Sequence, residues 1–119
     1  MLIIYKLYYN MFINSGERVI NMNLILELKN YLDSEKKLKL YPSKRKYKIL
    51  ALFYLATKFE KDVSYTEKQI NEILNNNHIF NDCCLLRREL YNKKFINRLD
   101  NCSKYWLEEK QPKLEEFLL

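Results

Sequence analysis

The tightest constraint on the fold of this chain is its single glycine, Gly16, in 119 residues. The short turns that close hairpins in sandwiches and barrels lean on glycine, because a residue without Cβ enters left-handed backbone conformations at no steric cost. The chain also has only two prolines, Pro42 and Pro112. Together these counts argue against a turn-rich all-β architecture and against a low-complexity or disordered chain. Hydrophobic residues make up 48% and aromatics 14%, ample material for a core. The length suits one compact domain with an added helix.

Hydrophobic spacing gives the order of elements. In "MNLILELKNYLDSEKKLKLYP", Leu24, Leu28, Tyr31 and Leu32 recur at three and four, with Leu38 beyond. Residues 22–40 therefore read as an amphipathic helix that stops before Pro42 and is a candidate dimerisation element. "SKRKYKILALFYLATKFE" follows, with Ser43 as its expected cap. Tyr47, Ile49, Leu50, Leu52, Phe53, Tyr54 and Phe59 give it an apolar face too broad for one-sided packing, as in a central helix. In "KDVSYTEKQINEIL", Ser64 and Glu67 have the spacing of a capping box, and Ile70, Ile73 and Leu74 define one buried side. "NNNHIFND" predicts a turn of about four to seven residues. The next helix is expected after Asn81 or Asp82 and runs through "CCLLRRELYNK", with Leu86 and Leu90 facing inward together. Arg87 and Tyr91 fall on an outer stripe extended by Lys94, and Arg88 lies about 100° further round. In "FINRLDNCSKYWL", Phe95, Ile96 and Leu99 suit a first strand, Asp100 and Asn101 a turn, and Tyr105, Trp106 and Leu107 the return. One of Tyr105 and Trp106 is expected to cover the core and the other to line the surface. The fold class that results is mainly α with a small C-terminal β-hairpin, a winged helix-turn-helix over residues 41–107.

The flanks are read separately. Residues 1–21 form an N-terminal extension outside this pattern, and Gly16-Glu17-Arg18 can be encoded by a purine-rich run like a ribosome-binding site ahead of Met22. They are expected to come from an overextended gene start; translated, they would be an added helix or strand covering an apolar edge. Their apolar run is interrupted by Lys6 and is far short of the roughly 20 residues that span a bilayer. No membrane role is expected. Residues 108–119 read as an acidic tail. The odd set Cys83, Cys84 and Cys102, with no convincing secretion signal, points to reduced thiols and a cytoplasmic protein. Adjacent Cys83 and Cys84 and a lone His78 lack the spacing of a zinc site, and no metal or cofactor is expected. With one glycine there is no phosphate-binding loop, and His78, spaced four from Asp82, reads as a capping contact. Nothing suggests an enzyme.

The formal charge is +6, and it is patchy. Lys36, Lys37, Lys39, Lys44, Arg45, Lys46 and Lys48 occur without an acid between them. A second basic stretch holds Arg87, Arg88, Lys93, Lys94, Arg98 and Lys104 against Glu89 and Asp100. Such patches suit a phosphate-rich partner as well as a solvated face. In a helix-turn-helix the second helix enters the major groove. That makes Arg87, Arg88 and Tyr91 candidate contacts to bases or phosphates, and an arginine can address guanine through two hydrogen bonds. Lys94 extends their stripe. Arg98 and Lys104 flank the hairpin turn and would position the protein on phosphate. Lys44, Arg45 and Lys46 lie at a helix start, where cations oppose the helix dipole and a partner phosphate would relieve them. Either arginine could instead tie its helix into the domain, through Glu89, Asp82 or the hairpin.

The ordered segments "YPSKRKYKILALFYLATKFE", "YTEKQINEIL" and "LLRREL", with the polar turn leading to "YW", resemble the DUF2087 family over residues 41–106. The resemblance implies a winged-helix-like domain with a possible link to transcription, since this domain is sometimes joined to helix-turn-helix regulators. His78 and Asp82 match the histidine and aspartate that members show before the leucine-arginine-arginine segment. Tyr41 stands where members often have phenylalanine. Asn101 and Cys102 stand where they often have glycine, so a different hairpin tip is expected. The family's emphasis on Tyr65, Thr66, Glu67, Asn71, Leu86, Arg87 and Arg88 is equally what a common scaffold would require. The leading expectation is a small regulator that binds double-stranded DNA, as a homodimer through residues 22–38. The alternative is a protein- or effector-binding module without nucleic-acid contact, with RNA binding third. The sequence identifies no effector.

Overall fold

The computed structural model describes residues 24–117; the expectations for residues 1–21 lie outside the described residues. The chain is mainly helical, with a two-stranded antiparallel hairpin towards its C-terminus. Helix α1 spans Arg45–Ala56, α2 Glu67–Asn75 and α3 Cys83–Asn92. The hairpin joins β1, Ile96–Arg98, to β2, Tyr105–Leu107, with Asn97 opposite Trp106. No helix among the described residues is long and apolar enough to cross a membrane.

Helix α1 is the axis of the core. Every residue from Ile49 to Ala56 is buried, which requires neighbours on all sides and accounts for an apolar pattern wider than one stripe. Phe53 meets Phe95 edge-on at 4.9 Å between ring centres, and Leu86 and Leu90 of α3 close the same cluster. Ser43 does not cap α1. The N-cap is Lys44, and it makes no side-chain cap bond.

The segment before α1 departs from the expected helix over 22–40. Residues 24–27 are helical and a 3-10 turn covers Lys29–Tyr31, after which the chain turns extended at Leu32. The Asp33 carboxylate accepts from the backbone N–H groups of Glu35 and Lys37 at 2.8 and 2.9 Å. This is the local competition by which aspartate diverts a backbone from helix to turn. The turn lets Leu38 pair with Leu32 and, in parallel, with His78, while the Tyr54 hydroxyl donates to the Lys36 carbonyl at 2.7 Å. Leu24, Leu28, Leu32 and Leu38 all enter the chain's own core. The apolar stripe that suggested dimerisation is thus used within the chain.

Helix α2 also starts later than its first capping signal suggests. Tyr65 and Tyr105 exchange both backbone hydrogen bonds at 2.7 Å, an antiparallel bridge that holds residue 65 extended. The cap therefore moves to Thr66, whose hydroxyl accepts from Gln69 N–H while the Gln69 side chain accepts from Thr66 N–H. The turn from α2 to α3 covers 76–82 and is stapled by buried His78. Its Nε2 accepts from Asp82 N–H at 2.9 Å, which leaves the proton on Nδ1, 2.6 Å from the Leu74 carbonyl. Asp82 in turn caps α3 through Leu85 N–H. As expected of the hairpin, Tyr105 is buried in the core and Trp106 is half-exposed. The acidic stretch after the hairpin is not a free tail. Pro112 and Leu114 are buried, and Phe117 stacks on Phe95 at 6.1 Å.

The scarcity of glycine has a visible consequence. Among the described residues, five that are not glycine hold left-handed backbone angles: Lys36, Asp62, Asn81, Lys94 and Cys102. Cys102 occupies the hairpin tip at φ 62, a conformation that a glycine would enter freely, so the tip keeps glycine-like geometry without glycine. Lys94, at φ 68, closes α3. Phe95 N–H donates to the Leu90 carbonyl and Lys94 N–H to that of Tyr91, the paired bonds of a Schellman motif, whose left-handed residue is usually glycine. Replacing Lys94 by glycine is expected to raise the unfolding free energy by about 0.5–1 kcal/mol, since relief of Cβ strain exceeds the added unfolded-state entropy. Urea unfolding measures it, and a loss of stability would contradict this reading.

Candidate nucleic-acid interface

The outer side of α3 faces the hairpin across a shallow groove of about 410 Å³, lined by Cys84, Arg87, Arg88, Tyr91, Asn92, Arg98, Cys102 and Tyr105. Four of the residues singled out in the sequence, Arg87, Arg88, Tyr91 and Arg98, thus meet in one place. Among the described residues, three guanidinium groups and no carboxylate line it.

The three arginines are held differently. Arg87 is tied to α2: its guanidinium donates to the Asn71 side-chain oxygen, lies 3.3 Å from Glu67 Oε1 and touches Cys84 Sγ. It also sits over the Tyr105 ring at 5.9 Å. Glu67 and Asn71 are one α-helical turn apart and present a paired acceptor to one fork. The partners are therefore neither Glu89 nor Asp82; Glu89 accepts instead from the Tyr41 hydroxyl at 3.1 Å. Burial, followed by that carboxylate, pushes the Tyr41 phenol well above its ordinary range. Arg98 stacks on Tyr91 at 4.4 Å, and its Nη1 donates to the carbonyls of Leu99 and Asp100 and to Cys102 Sγ. This fixes both the arginine and the hairpin tip. Arg88 is exposed, and among the described residues it makes no hydrogen bond, ion pair or ring contact.

The remaining candidates do not line this groove. Lys94 borders a different depression with Lys93, Lys110 and Glu108. Lys104 is exposed beside β2, and Lys44 and Arg45 are exposed at the start of α1, where Lys46 lies over the Tyr47 ring at 5.0 Å. Sequence reasoning overlooked Cys84, Asn92 and Cys102 as lining residues. Cys84 and Asn92 follow from helical spacing with Arg88, whereas Cys102 arrives through the hairpin and has no local signal. Burial pushes the Cys83 thiol up, as suits a side chain turned to the core beside exposed Cys84. Among the described residues no group of His, Cys, Asp or Glu is arranged to hold a metal ion.

The division between Arg87 and Arg88 can be measured. Arg87→Ala removes a charge-assisted link between α2 and α3 and is expected to cost about 1–3 kcal/mol of stability. Arg88→Ala should stay within about 0.5 kcal/mol of the parent. Equal losses in chemical unfolding would contradict the assignment of Arg87 as the holding residue.

Residues 37–107 match the family model of DUF2087, described as an uncharacterized protein conserved in bacteria. The match covers more than half of the chain and extends the resemblance back to the Leu38 bridge; the chain belongs to this family. No curated protein and no solved structure matches it.

Proposed function

We propose that this DUF2087 protein is a small cytoplasmic DNA-binding regulator of winged-helix build, with α3 set towards the major groove and the β1–β2 hairpin as its wing. Two features of the fold support the build. Helix, extended residue, two helices and hairpin follow in that order. The extended residue, Tyr65, pairs with β2 at Tyr105, as a third strand would in such a sheet. The carrying observation for DNA is Arg88, an exposed cation without a partner among the described residues, beside a neighbour that is fully engaged. On this reading Arg88 contacts a base edge or phosphate, and a two-bond contact to guanine is worth about 1–3 kcal/mol. Lys104, Lys94 and the Lys44-Arg45-Lys46 cluster, outside the groove, add to the positive charge of the protein, and on this reading affinity falls steeply with salt. An aromatic-rich exposed patch with both arginines buried in salt bridges would favour the competing picture of a protein- or effector-binding module; Arg87 pairs with Glu67, whereas Arg88 is exposed. The test is fluorescence anisotropy with mixed duplex DNA across a salt series. Absence of binding at low salt removes the proposal.

A further inference from the structure

We infer that the groove between α3 and the hairpin is a discrete seat for one phosphate group, built from Arg88 and Arg98 beside the rings of Tyr91 and Tyr105. As the route to a backbone phosphate it rests on the DNA reading; as a seat for a small phosphorylated molecule it stands without it.

Charge balance is the first reason. Among the described residues, the groove gathers three guanidinium groups with no lining carboxylate, and only Arg87 has an acidic partner, Glu67, on the neighbouring helix. Arg88 and Arg98 therefore line the groove without an acidic partner among the described residues. A dianion between them would be attracted from both sides.

Geometry is the second. Arg98 is not a free surface chain: its stack on Tyr91 and three bonds from Nη1 fix the plane of its guanidinium. Its Nη2 and Nε have no partner among the described residues. A pre-oriented fork with open donors loses little side-chain entropy when it takes a phosphate oxygen pair. Arg88 comes from α3 and Arg98 from the hairpin, so the two would grip one group from opposite walls. A volume of about 410 Å³ exceeds a bare phosphate and falls within the range of small-ligand sites. The surplus leaves room for an attached organic group.

The experiment is titration of the full chain with inorganic phosphate, read by isothermal calorimetry and by thermal unfolding, against sodium chloride at matched ionic strength. Saturable one-site binding is expected. Arg88→Ala should weaken it by about tenfold or more, and Lys61→Ala, which removes an exposed cation outside the groove, should leave it within about twofold. Arg98→Lys keeps the charge but loses the fork and should also weaken it. Lack of saturable binding, or an equal loss in Lys61→Ala, overturns the inference. A duplex-DNA arm separates it from the functional proposal. Phosphate that displaces duplex beyond the matched chloride effect identifies the seat with a backbone phosphate. Saturable phosphate with no duplex binding sustains the seat for a small phosphorylated molecule and rejects the DNA reading. Duplex binding without saturable phosphate rejects the seat alone.

Discussion

Replacing Phe95 by alanine is expected to lower the unfolding free energy by about 3–5 kcal/mol. Phe95 is fully buried and joins four parts of the chain. Its ring meets Phe53 of α1 edge-on and stacks on Phe117 after the hairpin. Its backbone N–H completes the closure of α3, and its carbonyl accepts from Glu108 N–H at 3.0 Å and from the Gln111 side chain at 2.9 Å. Truncation would open a cavity where these elements meet, and none can collapse without dragging the others. Small domains are stable by only about 5–15 kcal/mol, so the variant should be close to unfolding at physiological temperature. Leu99→Ala is the matched control. Leu99 is 42% exposed, and its loss should stay within about 0.5 kcal/mol. Urea unfolding followed by Trp106 fluorescence distinguishes them; a Phe95→Ala cost as small as that of Leu99→Ala would refute this account of the core.

Arg88→Ala is expected to weaken duplex DNA binding by about tenfold or more while leaving stability unchanged. Among the described residues the side chain makes no hydrogen bond, ion pair or ring contact, so its removal leaves no described partner unsatisfied, and any loss reports on the bound partner. Arg87→Ala should behave in the opposite sense. It loosens α2 from α3, and its effect on DNA would follow its effect on folding. The pair separates reading from holding within two adjacent residues.

The helices α1, α2 and α3 and the hairpin were legible because each carries its own periodic pattern, dense in Leu and Ile and bounded by polar turns. The segment over 22–40 was misleading for a reason that its pattern conceals. Leu24, Leu28 and Leu32 fit a helix whether or not it continues, and what stops it is the Asp33 turn, stabilised by the distant pairing of Leu38 with His78. The shift of the α2 cap from Ser64 to Thr66 is of the same kind: both residues can cap, and the bridge from Tyr65 to Tyr105 decides between them. At the site, helical spacing placed Arg87, Arg88 and Tyr91 near one another, but not which arginine faces α2. That choice depends on the angle between two helices, and only Glu67 and Asn71, spaced four apart on α2, hint at it. Arg98 was expected at the hairpin; its stack on Tyr91 depends on how the hairpin folds back over α3.

The central claim is that Arg88, set on α3 beside the hairpin, contacts nucleic acid. It is tested most directly by anisotropy titrations of labelled duplex DNA with the parent and with Arg88→Ala, at several salt concentrations and with both proteins shown to be equally folded. The account predicts salt-sensitive binding by the parent and a loss of about tenfold or more in the variant. Equal affinity of the two proteins, or no binding by the parent at the lowest salt, would contradict it.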